Sequence, residues 1–431
     1  MELRGKKLLI LGSLPIGTDE IVRYAQKMGI YVIVTDHHPV ERSVAKTIAD
    51  EAWMISLYNF DALEAKCRET GVDGIFCGVS EEYLDIMIEL CERLHLPCYL
   101  TQENWKYSRD KIAFKEMCRK SGVPVPEDYY LTDALTDEEL EPVKYPVVVK
   151  PVDSNSSQGI SFCHNREELI AGYRYARSVS KSTKIIVEQM VPGDEFIVYY
   201  AIADGEAAHV ANYQFHFQPG EAIGHYCVET SFCHARKQFA EKYNSLYKAL
   251  LNNMGCKSGY GWFQLRRDRD SGVIYAQEMG FRLSGSMDWA GLEKLNGFSP
   301  VKWMLECALG VQHKPSDLPP QIDKPSQSYT CTCFLWVKRP GTVGRIAGIE
   351  EVRKQVPVLA MNILRDVGYH YNAPAYGWTV MFYAKDCDEM CAMIEKINRL
   401  AVMEDTEGND MLLRFTDIET IKRNYRLQME A

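Results

Sequence analysis

The 431-residue chain has no apolar run long enough to cross a bilayer. It also lacks a basic excess: 49 Lys and Arg face 59 Asp and Glu, a formal charge of -10. That argues against nucleic acid, whose binding rests on neutralised phosphates. Small anionic ligands stay open, because a pocket can be positive on an acidic surface. No G-x-G-x-x-G follows the first strand, where "GSLPIG" stands instead, and no G-x-x-x-x-G-K-[ST] loop occurs. No Ser-His-Asp or Cys-His arrangement marks a covalent nucleophile. The 14 cysteines are scattered without paired spacing, which makes reduced thiols and a cytoplasmic setting the expectation. His225, Cys227, Cys233 and His234 lie close in sequence, but their spacing fits no standard zinc pattern. Cys331 and Cys333 fall in an alternating run and read as structural. "LLILG", followed by Pro15 and Asp19, reads as a strand rather than a signal peptide.

What is present is the composition of a multidomain globular protein, 46% hydrophobic and 25% charged. The opening alternates: strand "KLLILG", helix "TDEIVRYAQKMG", strand "IYVIVTD", helix "DALEAKCRETG", strand "VDGIFCG", helix "EEYLDIMIELCERLH". Such alternation predicts an α/β parallel sheet over residues 1–100. Ligands of such sheets bind beyond the strand ends, so Gly12 to Gly17 and Asp36 are either pocket wall or turn caps. A helix is expected from about Asp110 to Lys120. "YPVVVKPVDSNSSQGISFCHN" reads as two strands around a small-residue loop, completing a region 101–180. Over 181–310 come the strand "TKIIVEQ", a hairpin turning at Asp204-Gly205, one helix "QFAEKYNSLYKALLNNMG", and a hairpin turning at "RDRDSG". The Pro-rich "QHKPSDLPPQIDKPSQSY" leads to a small α+β unit over 311–431. There "CTCFLWVK" and "GWTVMFYAKD" are strands, "RPGTVGRIAG" a turn region, "IEEVRKQ" a short helix and "CDEMCAMIEKINRLAVMED" a long one.

Three segments carry chemistry. Lys150 ends an apolar strand, so its stem can lie in the core while its ammonium reaches a cleft. The loop behind it, Asp153 to Gly159, includes Ser156, Ser157, Gln158 and Gly159; it suits backbone contact with phosphates or serves only as a turn. In "EQMVPGDE", Glu188, the Met190 and Val191 backbone, and Glu195 match what a nucleotide needs: acceptors for the adenine amino group and ribose, and an edge for the ring. A solvated acidic turn is the plainer reading. Gln264 and Glu278 lie fourteen residues apart around a tight turn, a spacing that sets two oxygen ligands for Mg²⁺ on neighbouring strands. Arg282 then either offers a five-donor fork to developing negative charge or pairs with Glu278 as a structural ion pair. His209, Tyr213, Phe215, His216, His225, Tyr226 and His234 are read as an acceptor wall or as a strand with one buried face.

Taken in order, these segments resemble the ATP-grasp superfamily from about Leu100 to Leu309, with the opening α/β unit matching its preceding domain. The resemblance implies an α+β ATP-grasp fold, ATP and Mg²⁺ as cofactors, and small carboxylate and amine substrates. Lys111 in "SRDKIAF" and Lys150 look like the two phosphate lysines. "EQMVPGDE" looks like the E-x-x-x-x-G-x-E hinge, with Glu188 near adenine and Glu195 near ribose. Glu278-Met279-Gly280-Phe281-Arg282 looks like E-x-N-x-R, with glycine for the asparagine, and Gln264 has a counterpart in carbamoyl-phosphate synthases. "PGTVGRIAGIEEVRKQVPVL" is similar to the last domain of amino-acid ligases that make dipeptides.

The activity implied is a carboxylate–amine ligase working through an acyl phosphate, with Arg282 stabilising the oxyanion and Lys150 the transferring charge. A bicarbonate-activating enzyme like carbamoyl-phosphate synthase or biotin carboxylase is the second expectation. An ATP-binding regulatory module that has lost catalysis is the third. A homodimer is the default assembly of soluble enzymes, and no membrane or nucleic-acid partner is expected.

Overall fold

The computed structural model describes residues 2–152, 159–181, 184–220, 225–322, 328–372 and 374–430. The first four strands are β1 (Lys7–Leu11), β2 (Tyr31–Thr35), β3 (Glu51–Trp53) and β4 (Gly74–Phe76), paired in parallel in the order β3-β2-β1-β4. "LLIL" and "VIVT" are buried throughout, as strands sandwiched between helices must be. Asp36, at the end of β2, accepts from the Ser13 and His38 amides (2.7 and 2.9 Å) and pairs with Lys46 at 2.7 Å. It is therefore a turn cap and not an open pocket wall.

A small antiparallel sheet follows: β5 (Asp128–Tyr129), β6 (Val147–Pro151), β7 (Ser161–Cys163) and β8 (Ile185–Gln189), in the order β5-β8-β6-β7. Strand alternation divides its faces. Val147, Val149, Val187 and Cys163 join a core under the helix Arg166–Val179. Val148 stands opposite Glu188, and Asp128 opposite Glu188, so Lys150, Glu188 and Asp128 share the other face.

The third sheet has nine strands. It holds β9 (Gly193–Ala203), β10 (Glu206–Phe217), β11 (Tyr226–Thr230), β12 (Ser258–Asp268), β13 (Ile274–Gly280) and β14 (Tyr329–Val337). Their order is β13-β12-β9-β10-β11-β14, continued by Ala375–Ala384 and Val358–Ile363, with Leu412–Leu413 pairing β14 at the side. Both hairpins turn where the sequence indicates, the first through Asp204 and Gly205 at φ 48° and 81°. The tail thus extends the same sheet while keeping its own core around Trp378, Met390 and Ile394.

Three local expectations are corrected. The single helix over residues 238–255 is two, Arg236–Lys242 and Asn244–Asn253, broken at Tyr243. "RPGTVGRIAG" is not a turn region: Gly341–Ala347 is a strand pairing with Val402–Asp405. That second strand was read as the end of the helix, which stops at Leu400. All 14 cysteines are free. Among the described residues no helix is long and apolar enough to cross a membrane.

Candidate functional site

Asp110 accepts from the Ile112 and Ala113 amides (2.8 and 3.1 Å) and so starts the helix Lys111–Lys120. Lys111 and Lys115 lie one turn apart along it. Lys115 pairs with Asp128 and Glu188, and Lys150 pairs with the other Glu188 oxygen at 2.5 Å. Burial opposes the Glu188 charge, yet the two ammonium groups hold its pKa down at about 2. Lys115 was not singled out in the sequence. Its signal was the spacing of four from Lys111, legible only once Glu188 is known to face it. Lys115→Met is expected to lower stability by about 2–3 kcal/mol in urea denaturation, because it takes one of two ammonium groups from the buried Glu188, leaving it Lys150, and leaves Asp128 to Arg119. An unchanged midpoint would contradict that.

The hinge between the sheets is tight. Gly193 has φ +144°, and a Cβ there would stand 2.0 Å from the Arg267 carbonyl, so no other residue fits. The Met190 amide donates to the Pro146 carbonyl at 3.0 Å, and the Val191 carbonyl accepts from Arg266 at 3.3 Å. Glu195 is held by the Arg266 guanidinium and by the Gln264 amide nitrogen. With its nitrogen so engaged, Gln264 presents its oxygen. Ser156, Ser157 and Gln158 lie outside the described residues; Gly159, which follows them, is buried.

Gln264 is directly opposite Glu278 on β12 and β13, as the fourteen-residue spacing implied. Lys111 and Lys150 stand near enough to the Glu278 carboxylate to lower its pKa, so the helix, the small sheet and the β12–β13 hairpin bring their charges to one place. Burial raises the Glu278 pKa, Lys111 opposes this, and Glu81 adds to it. Lys111 itself pairs with no carboxylate among the described residues. Arg282 does not pair with Glu278. Its guanidinium donates to Glu81 (3.0 Å) and to the Leu283 carbonyl (2.9 Å) and lies 5.2 Å from the Trp262 ring. The reading of Glu278 and Arg282 as a sealed structural pair is therefore set aside.

One carboxylate and one amide oxygen suit Mg²⁺, which takes one or two protein ligands and completes its shell with phosphates and water. No set of three or more His, Cys, Asp or Glu able to hold a metal occurs among the described residues. Ser284 and Ser286 do not replace the absent asparagine. Their hydroxyls donate to Asp288 (2.5 and 3.0 Å), whose pKa burial drives well up.

The face of the large sheet continues away from the metal pair. Glu278, Gln264, Ile197 and Tyr213 stand side by side across four strands. Two residues along β10, Phe215 faces Glu229, which faces Thr332. Glu229 is fully buried and pairs with no cation among the described residues; burial pushes its pKa up to about 8, and the nearby Ser286 hydroxyl, already donating to Asp288, offsets this only in part. The Tyr199, Tyr260 and Thr332 hydroxyls on this face are without partners. Sequence reasoning missed Glu229, because a lone Glu in "HYCVETSF" carries no local sign of what its strand faces.

The proposed acceptor wall is split by the same alternation. Tyr213, Phe215 and Tyr226 are on this face; the Tyr226 ring stacks on Phe215 at 4.2 Å. His209 and His216 lie on the reverse face, where His209 meets Phe239 at 5.2 Å, and burial lowers both pKa values to about 3. His234 pairs with Asp194 at 3.3 Å, and His225 stacks on Trp336 at 4.0 Å. The first three histidines belong to the packing of the sheet rather than to the cleft.

Residues 117–226 match the family model of the D-ala D-ala ligase C-terminus. Formate-dependent phosphoribosylglycinamide formyltransferase of Prochlorococcus marinus (strain NATL1A) is 25% identical over 276 residues, 61% of this chain and 66% of that protein. The chain thus spans just under two thirds of that relative's length. In structure it is similar to the L-amino acid ligase from Bacillus licheniformis, with TM-score 0.77, 19% identity, and 93% and 99% of the two chains covered. It is also similar to the biotin carboxylase domain of Hydrogenobacter thermophilus 2-oxoglutarate carboxylase, solved with MgADP, ADP and bicarbonate. That likeness has TM-score 0.71 and 20% identity, over 93% and 90% of the two chains.

Proposed function

We propose, from the ATP-grasp fold that this chain has, that it is an ATP- and Mg²⁺-dependent carboxylate–amine ligase. The observation that carries the reading is the pairing of Gln264 with Glu278 across the hairpin, near enough to Lys111 and Lys150 for both to act on the Glu278 charge. A carboxylate is a poor electrophile, and phosphorylation by ATP makes it an acyl phosphate that an amine can attack. Lys111 and Lys150 neutralise the phosphates, and Gln264 and Glu278 hold the Mg²⁺ that bridges them. Triphosphate entry draws Lys150 from Glu188, while Lys115 stays on that carboxylate. The Met190 carbonyl and Val191 amide meet the adenine edge, and Glu195 accepts from the ribose. On its small-residue sequence, the loop 153–159 is assigned as the lid over the phosphates.

Glu229 supplies the substrate side. A buried carboxylate without a cationic partner suits an ammonium group, so an amino acid or a similar amine-bearing acid is the substrate class. Arg282, held by Glu81, stabilises the oxyanion formed on attack. We keep the division at residues 100, 180 and 310, although β8 (Ile185–Gln189) belongs to the small sheet, and a homodimer as the assembly.

The test is to incubate the protein with ATP, Mg²⁺ and pairs of amino acids while following ADP and product mass. Arg282→Ala should lower product formation by about 10²- to 10³-fold with ADP affinity nearly unchanged. A fully active variant would remove Arg282 from the chemistry. Gln264 and the likeness to a biotin carboxylase domain favour a second reading, bicarbonate activation. ADP release that needs bicarbonate and no organic acid would select it.

A further inference from the structure

Gly280 stands where the resembled motif has its asparagine, and Trp262 is directly opposite it. Its φ is not in the left-handed region, so the backbone does not demand glycine. The ring does. A Cβ at 280 would lie 2.2 Å from Trp262 Cζ2 and 2.8 Å from Nε1, well inside contact distance. The Cζ2–Cε2 edge of the indole, with Nε1 beside it, therefore occupies the place where a residue-280 side chain would begin.

That nitrogen is buried and has no acceptor, in a side chain only 6% exposed. The Arg282 Nε, on the guanidinium stacked against the same ring at 5.2 Å, also lacks one. Indole N–H donates and cannot accept, and the guanidinium likewise. Two buried N–H groups left open beside Glu278 call for an oxygen that carries negative charge.

We infer that Trp262 Nε1 and Arg282 Nε together form a seat for a phosphoryl oxygen, at the place where the resembled motif has its asparagine. The inference rests on the ligase reading and deepens it. Two protein donors here neutralise phosphoryl charge beside the hairpin, so that one Mg²⁺, on Glu278 and Gln264, suffices.

The probe is inorganic phosphate titrated calorimetrically into the protein–MgADP complex. Trp262→Phe keeps a ring and removes the N–H; it is expected to weaken phosphate about 10- to 100-fold without changing MgADP affinity. Trp262→His returns an N–H and should recover part of the loss. Gly280→Ala, which leaves Trp262 in the chain but pushes its ring away, should weaken phosphate as Trp262→Phe does. Electron paramagnetic resonance with Mn²⁺ and ADP should count one tightly bound ion per chain. Thermal unfolding of each variant separates a lost donor from a lost fold. Phosphate affinity unchanged in Trp262→Phe, or two tight Mn²⁺ ions in the parent, overturns the oxygen seat alone. Failure of the parent to bind MgADP overturns the ligase reading together with it.

Discussion

Glu278→Gln is expected to lower acid-dependent ADP release by about 10³-fold, the scale of several kcal/mol of metal-borne charge stabilisation. Gln264 is already neutral, so this variant leaves the hairpin with two amides and no carboxylate to hold a hard cation. Mn²⁺ affinity in the presence of ADP should fall with it, and Mn²⁺ titration is the direct measurement. The parent should also lose metal as pH falls, because the ligand must be ionised. Burial raises the Glu278 pKa, so the loss sets in at higher pH than for an ordinary carboxylate. Undiminished Mn²⁺ binding by the variant would move the metal away from this hairpin.

Glu229→Gln has the second large effect, on stability and on substrate together. The folded pKa of about 8 stands above the ordinary value of 4.5, so between those values the folded chain holds a proton that the unfolded chain has released. Stability attached to this group is complete below pH 4.5 and is lost as pH rises toward 8. The glutamine variant should therefore gain on the parent by about 1.4 kcal/mol per pH unit across that window, with a constant difference above it. Urea denaturation at pH 5, 6, 7 and 8 reads the slope, which is insensitive to the cost of burying an amide. If an ammonium group seats on Glu229, binding ionises the carboxyl near neutral pH and releases a proton. Calorimetry in two buffers of different ionisation enthalpy counts that proton, and the variant should raise the amine KM by about 10- to 100-fold. A flat pH difference would remove the burial account, and no proton release would remove the ammonium.

The sequence carried the parts of this site whose partners are near in the chain or whose spacing is fixed by a hairpin. Gln264 and Glu278 were paired correctly because a tight turn sets their register. Glu188 and Glu195 were legible as a hinge because Gly193 and Pro192 break the strand between them. What stayed hidden depends on faces and on long-range neighbours. The histidines of β10 were grouped with Tyr213 and Phe215, although strand alternation, and a bulge between His209 and Ala211, send them to the other side. Lys115 looked like any helix lysine until Glu188 arrived from 73 residues away. Gly280 read as a missing ligand, whereas the reason for it is the Trp262 ring across the ladder. Of the fold, the strands and helices with uniform burial were clear. The tail's Gly341–Ala347 was not, because its glycines mimic a turn.

One strand belongs to two territories. On β11 the Cys227 and Val228 side chains are packed into the tail's core, while Glu229 between Val228 and Thr230 lies beside Thr332 of β14 on the face that carries Phe215. On the proposed reading, any lineage that exchanged its tail would thereby reshape the floor assigned to the amine, with the residues assigned to the triphosphate left as they were. Selectivity for the acceptor and commitment to ATP are thus separable by inheritance, and grafted tails are the natural place to look for ligases of altered taste.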